Sequence, residues 1–169
     1  MIRLFISLLF FGFSSLLTSQ SLDLQDLGSA LKNNYSFIER SLDPSQLTIE
    51  ESSGTIVYNN SILTIEIIKP FKEKYILQGG VIEVHDLELE QVRTIETEAI
   101  QNNFISILSH GIEDESKAYT TTITDDRLIE LQPSNGGASI NFIFQSKVLK
   151  LIRYTDPMNI EHAIELLPL

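Results

Sequence analysis

The sequence predicts a mainly β fold with an α lid: about eleven short strands in an antiparallel meander, curled into an incomplete barrel and covered by helices. Three observations carry that prediction. From Gln46 onward the hydrophobic period is close to two, and turn residues interrupt it at short intervals. Many of the resulting strands have one cleanly apolar face: Ile56 and Tyr58; Leu63, Ile65 and Ile67; Tyr75 and Leu77; Ile82 and Val84; Ile140, Phe142 and Phe144. Ahead of them, Leu24, Leu27, Leu31, Tyr35 and Ile38 recur at spacings of three and four, which places them on one face of a helix. A sheet of so many strands must curl or close. Its apolar face then becomes a concave interior, with the amphipathic helix as its cover.

The chain has 169 residues, 43% of them hydrophobic and 21% charged, enough for one domain with a sizeable core and no sign of wholesale disorder. The first 21 residues stand apart. Met1-Ile2-Arg3 is a short basic start, Leu4 to Leu17 is almost unbroken apolar sequence, and Ser19-Gln20-Ser21 supplies small residues around a cleavage point. That is the pattern of a secretory signal peptide. A membrane anchor needs ~20 apolar residues, and this run is shorter. Residues 22–169 are then a single exported domain. Its net charge of −11 becomes one unit more negative if Arg3 is removed. Such a chain is repelled by nucleic acid and by anionic lipid surfaces.

The helix starts beside Asp23 and Asp26, where the dipole favours acids, and runs toward Arg40, with Asp43-Pro44 as the exit. Strands are expected at Gly54–Tyr58 and Ile62–Ile68, joined through Asn59-Asn60, whose side chains tolerate left-handed backbone. After Pro70, Lys72–Gln78 and Val81–His85 form a hairpin about Gly79-Gly80, a pair that takes positive φ without steric cost. Val92–Glu96 follows. Phe104, Ile105, Ile107 and Leu108 suggest a short second helix ending at Gly111. Beyond an acidic loop at Glu113-Asp114-Glu115 come strands at Ala118–Thr124, Arg127–Gln132, Ala138–Gln145, Val148–Thr155 and Ile160–Leu166.

Pro70 to Gln91 resembles the signature of the LolA family, the periplasmic carriers of outer-membrane lipoproteins. That signature runs from a proline through a strand, an Asp-Gly-Lys turn and an aromatic strand to an Asp-Pro-x-x-Glu-Gln step. Pro70, Gly79, Asp86, Glu90 and Gln91 fall at the matching places without a gap. Gly54 and the Ile62–Ile68 strand sit where the family has its glycine and preceding hairpin; Asn103 to Gly111 is similar to its short helix, and Ser146 to Leu166 to its late two-strand unit. Asn59-Asn60 stands at the family's Arg-Pro pair, and Glu83 and His85 at its aromatic pair.

The resemblance implies a LolA/LolB-like half-open barrel whose apolar cavity holds acyl chains, and a periplasmic chaperone that carries lipoproteins from inner to outer membrane. Each CH₂ of a lipid chain moved out of water contributes ~0.8 kcal/mol, so acylated proteins need such shielding. On this reading the cavity is lined by Ile56, Tyr58, Leu63, Ile65, Ile67, Tyr75, Leu77, Ile82, Val84, Ile140, Phe142 and Phe144, with Leu24, Leu27 and Leu31 on the lid. The implied partners are acylated lipoproteins, an inner-membrane lipoprotein-releasing transporter and an outer-membrane lipoprotein receptor, met by a monomer. The alternative is an exported lipid-binding or sensor domain of the same fold without a transport role.

Nothing in the sequence favours catalysis. No cysteine is present, which excludes thiolate ligands and thiol nucleophiles. His85, His110 and His162 lie far apart without metal-ligand spacing, and the acidic groups lack the spacing of a calcium loop. No nucleotide or hydrolase fingerprint occurs, so neither cofactor nor metal is expected. His162 alternates with Ile160 and Ile164 and reads as a satisfied core or cavity-rim residue.

Overall fold

The computed structural model describes residues 21–97, 103–112, 118–134 and 136–169. The expected signal peptide, the Glu113–Glu115 loop and Asn135 lie outside the described residues. The elements in chain order are α1 (Leu24–Ala30), β1 (Tyr35–Asp43), β2 (Thr48–Asn59), β3 (Ile62–Lys69), β4 (Glu73–Gln78), β5 (Val81–Asp86), β6 (Gln91–Glu96), α2 (Asn103–His110), β7 (Tyr119–Thr124), β8 (Leu128–Pro133), β9 (Ile140–Gln145), β10 (Val148–Thr155) and β11 (Glu161–Pro168).

All eleven strands form one antiparallel sheet in the order β6-β5-β4-β3-β2-β1-β11-β10-β9-β8-β7. It is curled and not closed. Two meanders, β1–β6 and β7–β11, are stitched together at the middle, where β1 pairs with β2 on one side and β11 on the other. The two edge strands, β6 and β7, are successive in the chain, and α2 lies on the connection between them.

The turns follow from their residues. Gly79 and Gly80 carry φ of +59° and +82°, the two left-handed positions of the expected tight hairpin. Asp86 Oδ1 accepts from the backbone N–H groups of Glu88 and Leu89 and so caps the β5–β6 turn. Asp156 Oδ1 does the same for Met158 and Ile160 between β10 and β11. Helix α2 stops at Gly111, whose φ is +79°.

One expectation is overturned. The first helix does not reach Arg40: it has seven residues, and Tyr35 to Asp43 is strand. A capping box between Asp23 and Asp26 starts α1 as the acids suggested. Leu24, Leu27 and Leu31 keep the helical spacing, but Gly28, Ser29 and the Asn33-Asn34 pair are poor helix formers. Beyond them, Tyr35 and Phe37 point inward at a period of two, while Ile38 lies on the opposite face; its fit to the helical spacing is a coincidence of two registers. Asp43-Pro44 turns a strand and not a helix, with Asp43 Oδ1 accepting from Ser45 N, Ser45 Oγ and Gln46 N. Strand β2 also starts six residues earlier than its apolar pattern, at Thr48, because β1 pairs with it along that whole polar stretch.

Candidate lipid-binding face

Strand alternation sends one set of side chains to the concave face, and that set divides into two apolar clusters. The first is built on β8–β11 and β1 and includes Ile140, Phe142 and Phe144, together with Phe37, Ile129, Leu131, Leu149, Ile152, Ile164 and Leu166. Leu27 of α1 and Phe104 and Ile107 of α2 are buried in it. The second, on β3–β5, has Leu63, Leu77, Ile82 and Val84 at its centre, with Tyr58, Tyr75, Ile95 and Ile105 only partly buried around them. Ile56, Ile65 and Leu108 touch both clusters. Ile67, with Leu24 and Leu31 of α1, packs against the first. All the residues expected to line a cavity therefore share one face, but in two environments: Phe142 is 0% exposed at the centre of the first cluster, whereas in the second only Leu63, Leu77, Ile82 and Val84 are buried and Tyr58, Tyr75 and Ile95 around them keep partial access to solvent.

Both helices lie on this face. The Tyr35 hydroxyl, buried beneath α1, donates to Ala30 O at 2.9 Å and so ties the helix C-terminus to the central strand. Burial pushes the Tyr35 hydroxyl pKa up, partly opposed by Asn33, so it stays a donor at neutral pH. Lys147 in the β9–β10 turn reaches Asp26 at 3.6 Å, on a more exposed side. Tyr35→Phe should therefore lower the protection of α1 amides against hydrogen exchange by about 1 kcal/mol, the usual net value of one such bond. Unchanged protection would mean that apolar packing alone holds α1.

Toward one end of the sheet the inward positions change from apolar to polar. On β1, Tyr35 and Phe37 are followed by Glu39; on β11, Leu166 and Ile164 are preceded by His162; on β4 and β5, Glu73 and Asp86 end the inward rows of Tyr75–Leu77 and Ile82–Val84. The Tyr75 hydroxyl donates to Glu73. Burial, then that bond, raises the Tyr75 pKa, with Glu39 adding to the shift and Arg93 opposing it. A groove of about 270 Å³ among Glu73, Val84, Asp86, Gln91 and Arg93 adjoins the second cluster through Val84. On the convex face, Ser36, Ile38, Thr55, Ile68 and Leu167 border another of about 470 Å³. Glu83 and His85 alternate with the inward Ile82 and Val84, so they face away from the apolar interior, 3.3 Å from each other.

Sequence reading missed part of this face. Phe37 was hidden inside the expected helix. Leu149 and Ile152 are both buried although three residues apart, because a bulge between Leu149 and Leu151 breaks the alternation. His162 is the third surprise. Far from being satisfied, its Nε2 is buried without a hydrogen bond, while Nδ1 sits 2.7 Å from Glu39, 123 residues away. Among the described residues no group of three His, Asp or Glu side chains is placed to hold a metal ion, and no helix is long and apolar enough to cross a membrane.

No family model matches the chain, and no curated protein matches it in sequence. Among solved structures the chain is similar to a LolA superfamily protein from Nitrosomonas europaea, with a TM-score of 0.50 and 10% identity over 87% of this chain and 92% of that one. Weaker likenesses are to LprF from Mycobacterium bovis, with a TM-score of 0.37 at 10% identity over 85% and 89% of the two chains, and to a DUF1329 family protein from Desulfovibrio piger, with 0.39 at 11% over 86% and 89%. The fold is LolA-like.

Proposed function

From a chain of LolA-like fold with a one-sided apolar sheet, we propose an exported carrier that shields the acyl chains of lipoproteins on their way from inner to outer membrane. Its partners on this reading are acylated lipoproteins, a transporter that loads them and a receptor that takes them. The supporting observation is the uneven filling of the concave face. The β8–β11 half is packed by its own side chains, by α1 and by Phe104 and Ile107 of α2, whereas Tyr58, Ile65, Tyr75 and Ile95 toward the other half are apolar and only partly covered. Hydrocarbon laid there, beneath Ile105 and Leu108 of α2, replaces water against aliphatic surface at ~0.8 kcal/mol per CH₂. The polar end of the same strands would then meet the lipid's head.

Placing two carboxylates on that surface leaves charges that a bound tail would have to desolvate without a partner, at several kcal/mol each. Ile65→Asp with Ile95→Asp should therefore weaken binding of a fluorescent fatty acid by more than about a hundredfold while the far-ultraviolet spectrum stays that of a sheet protein. Undiminished binding by the folded double variant would overturn the assignment of this half.

A second reading, an exported binder of free lipid without a transport role, is favoured by the same uneven filling, since one half of the face offers less room than the whole. Ligands extracted from the exported protein separate the two. Triacylated lipoproteins support the carrier; free fatty acid or phospholipid alone supports the binder.

A further inference from the structure

His162, which the acyl-binding face does not explain, lies between two carboxylates and at the foot of a stack that leads to α2. Nδ1 is 2.7 Å from Glu39 Oε1 of β1, and Nε2 is 3.6 Å from Asp156 Oδ2 in the β10–β11 turn. Both acids are well covered, with side-chain exposures of 23% and 10% against 15% for the histidine. The imidazole stacks on Tyr154 of β10, with ring centres 4.5 Å apart and planes 6° from parallel. Tyr154 in turn stacks on Phe104 of α2 at 4.7 Å. Two rings and one helix thus rest on a residue whose charge can change.

We infer that protonated His162 is a positioning residue which, through Tyr154 and Phe104, holds α2 down on the sheet, so that the helix is fast at acidic pH and loosens as the imidazole loses its proton. The neutral ring can serve Glu39 from Nδ1, but it then turns a bare nitrogen toward the Asp156 carboxylate, and a buried acceptor faces an acceptor. The imidazolium donates to Glu39 from Nδ1, turns a charged N–H toward the Asp156 carboxylate 3.6 Å away, and screens Glu39 from Asp156. The groups facing the cluster are Glu39 from β1, which also accepts from Ser52 of β2; Asp156; the Tyr154 hydroxyl; and, through Glu39, the Tyr75 hydroxyl of β4. Residues 104–108 of α2 contribute no titratable group. Burial, then Glu39 and Asp156, raises the Tyr154 hydroxyl pKa, so this ring stays neutral throughout and only the histidine switches.

The direction is set by the same neighbours. Burial lowers the His162 pKa, but the bond and charge of Glu39 with the charge of Asp156 outweigh it, and the net shift is upward from 6.5. A pKa raised on folding adds stability that is complete below 6.5 and is lost as pH rises through the folded value. The clamp is therefore closed under mildly acidic conditions and open under alkaline ones. Its bearing on ligand exchange rests on the acyl-binding reading, but the clamp itself does not.

Two measurements on the exported chain keep these apart. Hydrogen-exchange protection of the α2 amides, corrected for intrinsic rates, should fall by on the order of tenfold between about pH 5.5 and about pH 8.5, the scale of one charge-assisted hydrogen bond. The midpoint should coincide with the His162 titration followed by its ring resonances. His162→Phe, which keeps the stack without a proton, should remove that step. Glu39→Gln should move it to lower pH, and it stands in for the phenylalanine variant should that one not fold. Flat α2 protection, or a step that survives in His162→Phe, overturns the clamp whether or not lipid binds. The release rate of a polyene fatty acid should follow the same midpoint. Binding at no pH would count against the acyl-binding reading and leave the amide result to decide the clamp alone.

Discussion

Phe142→Ala should cost about 4 kcal/mol, the scale of a fully buried phenylalanine truncated to a methyl group. Phe142 is 0% exposed and pairs in register with Ile129 of β8 and Ile152 of β10, both also buried, with Leu27 of α1 in the same cluster. Three β-strands fix the walls around the ring, and strands held by ladder hydrogen bonds on both sides cannot close inward. The cavity therefore stays, and its cost adds to the lost transfer free energy. For a domain of this size the melting temperature should fall by roughly 10 °C. Ile65→Ala, on the half-open side, removes a side chain that is only partly buried and should cost much less. Urea titrations of the two variants test the division of the face directly. A small loss for Phe142→Ala would show that the β8–β11 half is loosely filled and itself available to ligand.

Gly54→Ala is also expected to be strongly damaging, by way of the backbone rather than the core. A methyl group there would sit 1.9 Å from Glu66 O, 2.8 Å from Glu66 C and 3.0 Å from Ile67 Cα, all main-chain atoms of β3. The close approach lies beside an irregularity in the ladder, a register shift at Ser53–Gly54 that leaves Ile68 without a Cα partner on β2. No rotamer relieves the overlap. Strands β2 and β3 must separate near the middle of the sheet, at a cost of about 3 kcal/mol or more. Gly79→Ala is the control, since it has a left-handed φ but no atom within 4 Å of the added carbon. It should lose only about 1–2 kcal/mol from backbone strain. Equal urea midpoints for the two variants would show that β2 and β3 can move apart freely.

These variants also mark where reading the chain succeeds. The Gly79-Gly80 hairpin, strand β10 over Val148–Thr155, the short helix before Gly111 and the inward rows at Leu63–Ile65–Ile67 and Ile140–Phe142–Phe144 are all visible in the sequence. Each is written in a repeat of two or four residues or in a turn residue next to it. The two environments of the concave face are not visible, because Ile65 and Phe142 have the same alternating neighbours, and only the packing of distant elements, α1 and α2 among them, distinguishes them.

The amino-acid order by itself determined most strands after β1, their turns, the acidic start of α1 and most of the side chains that turn inward, since these depend on neighbours a few residues apart. Tertiary structure decided that Tyr35–Asp43 is a strand, because β2 and β11 supply hydrogen-bond partners on both of its edges and outweigh a local helical spacing. It also decided the company of His162, for Glu39 reaches it across 123 residues only when β1 and β11 pair. No periodicity along a chain records which distant carboxylate an imidazole will meet. That is settled by the register in which two strands close.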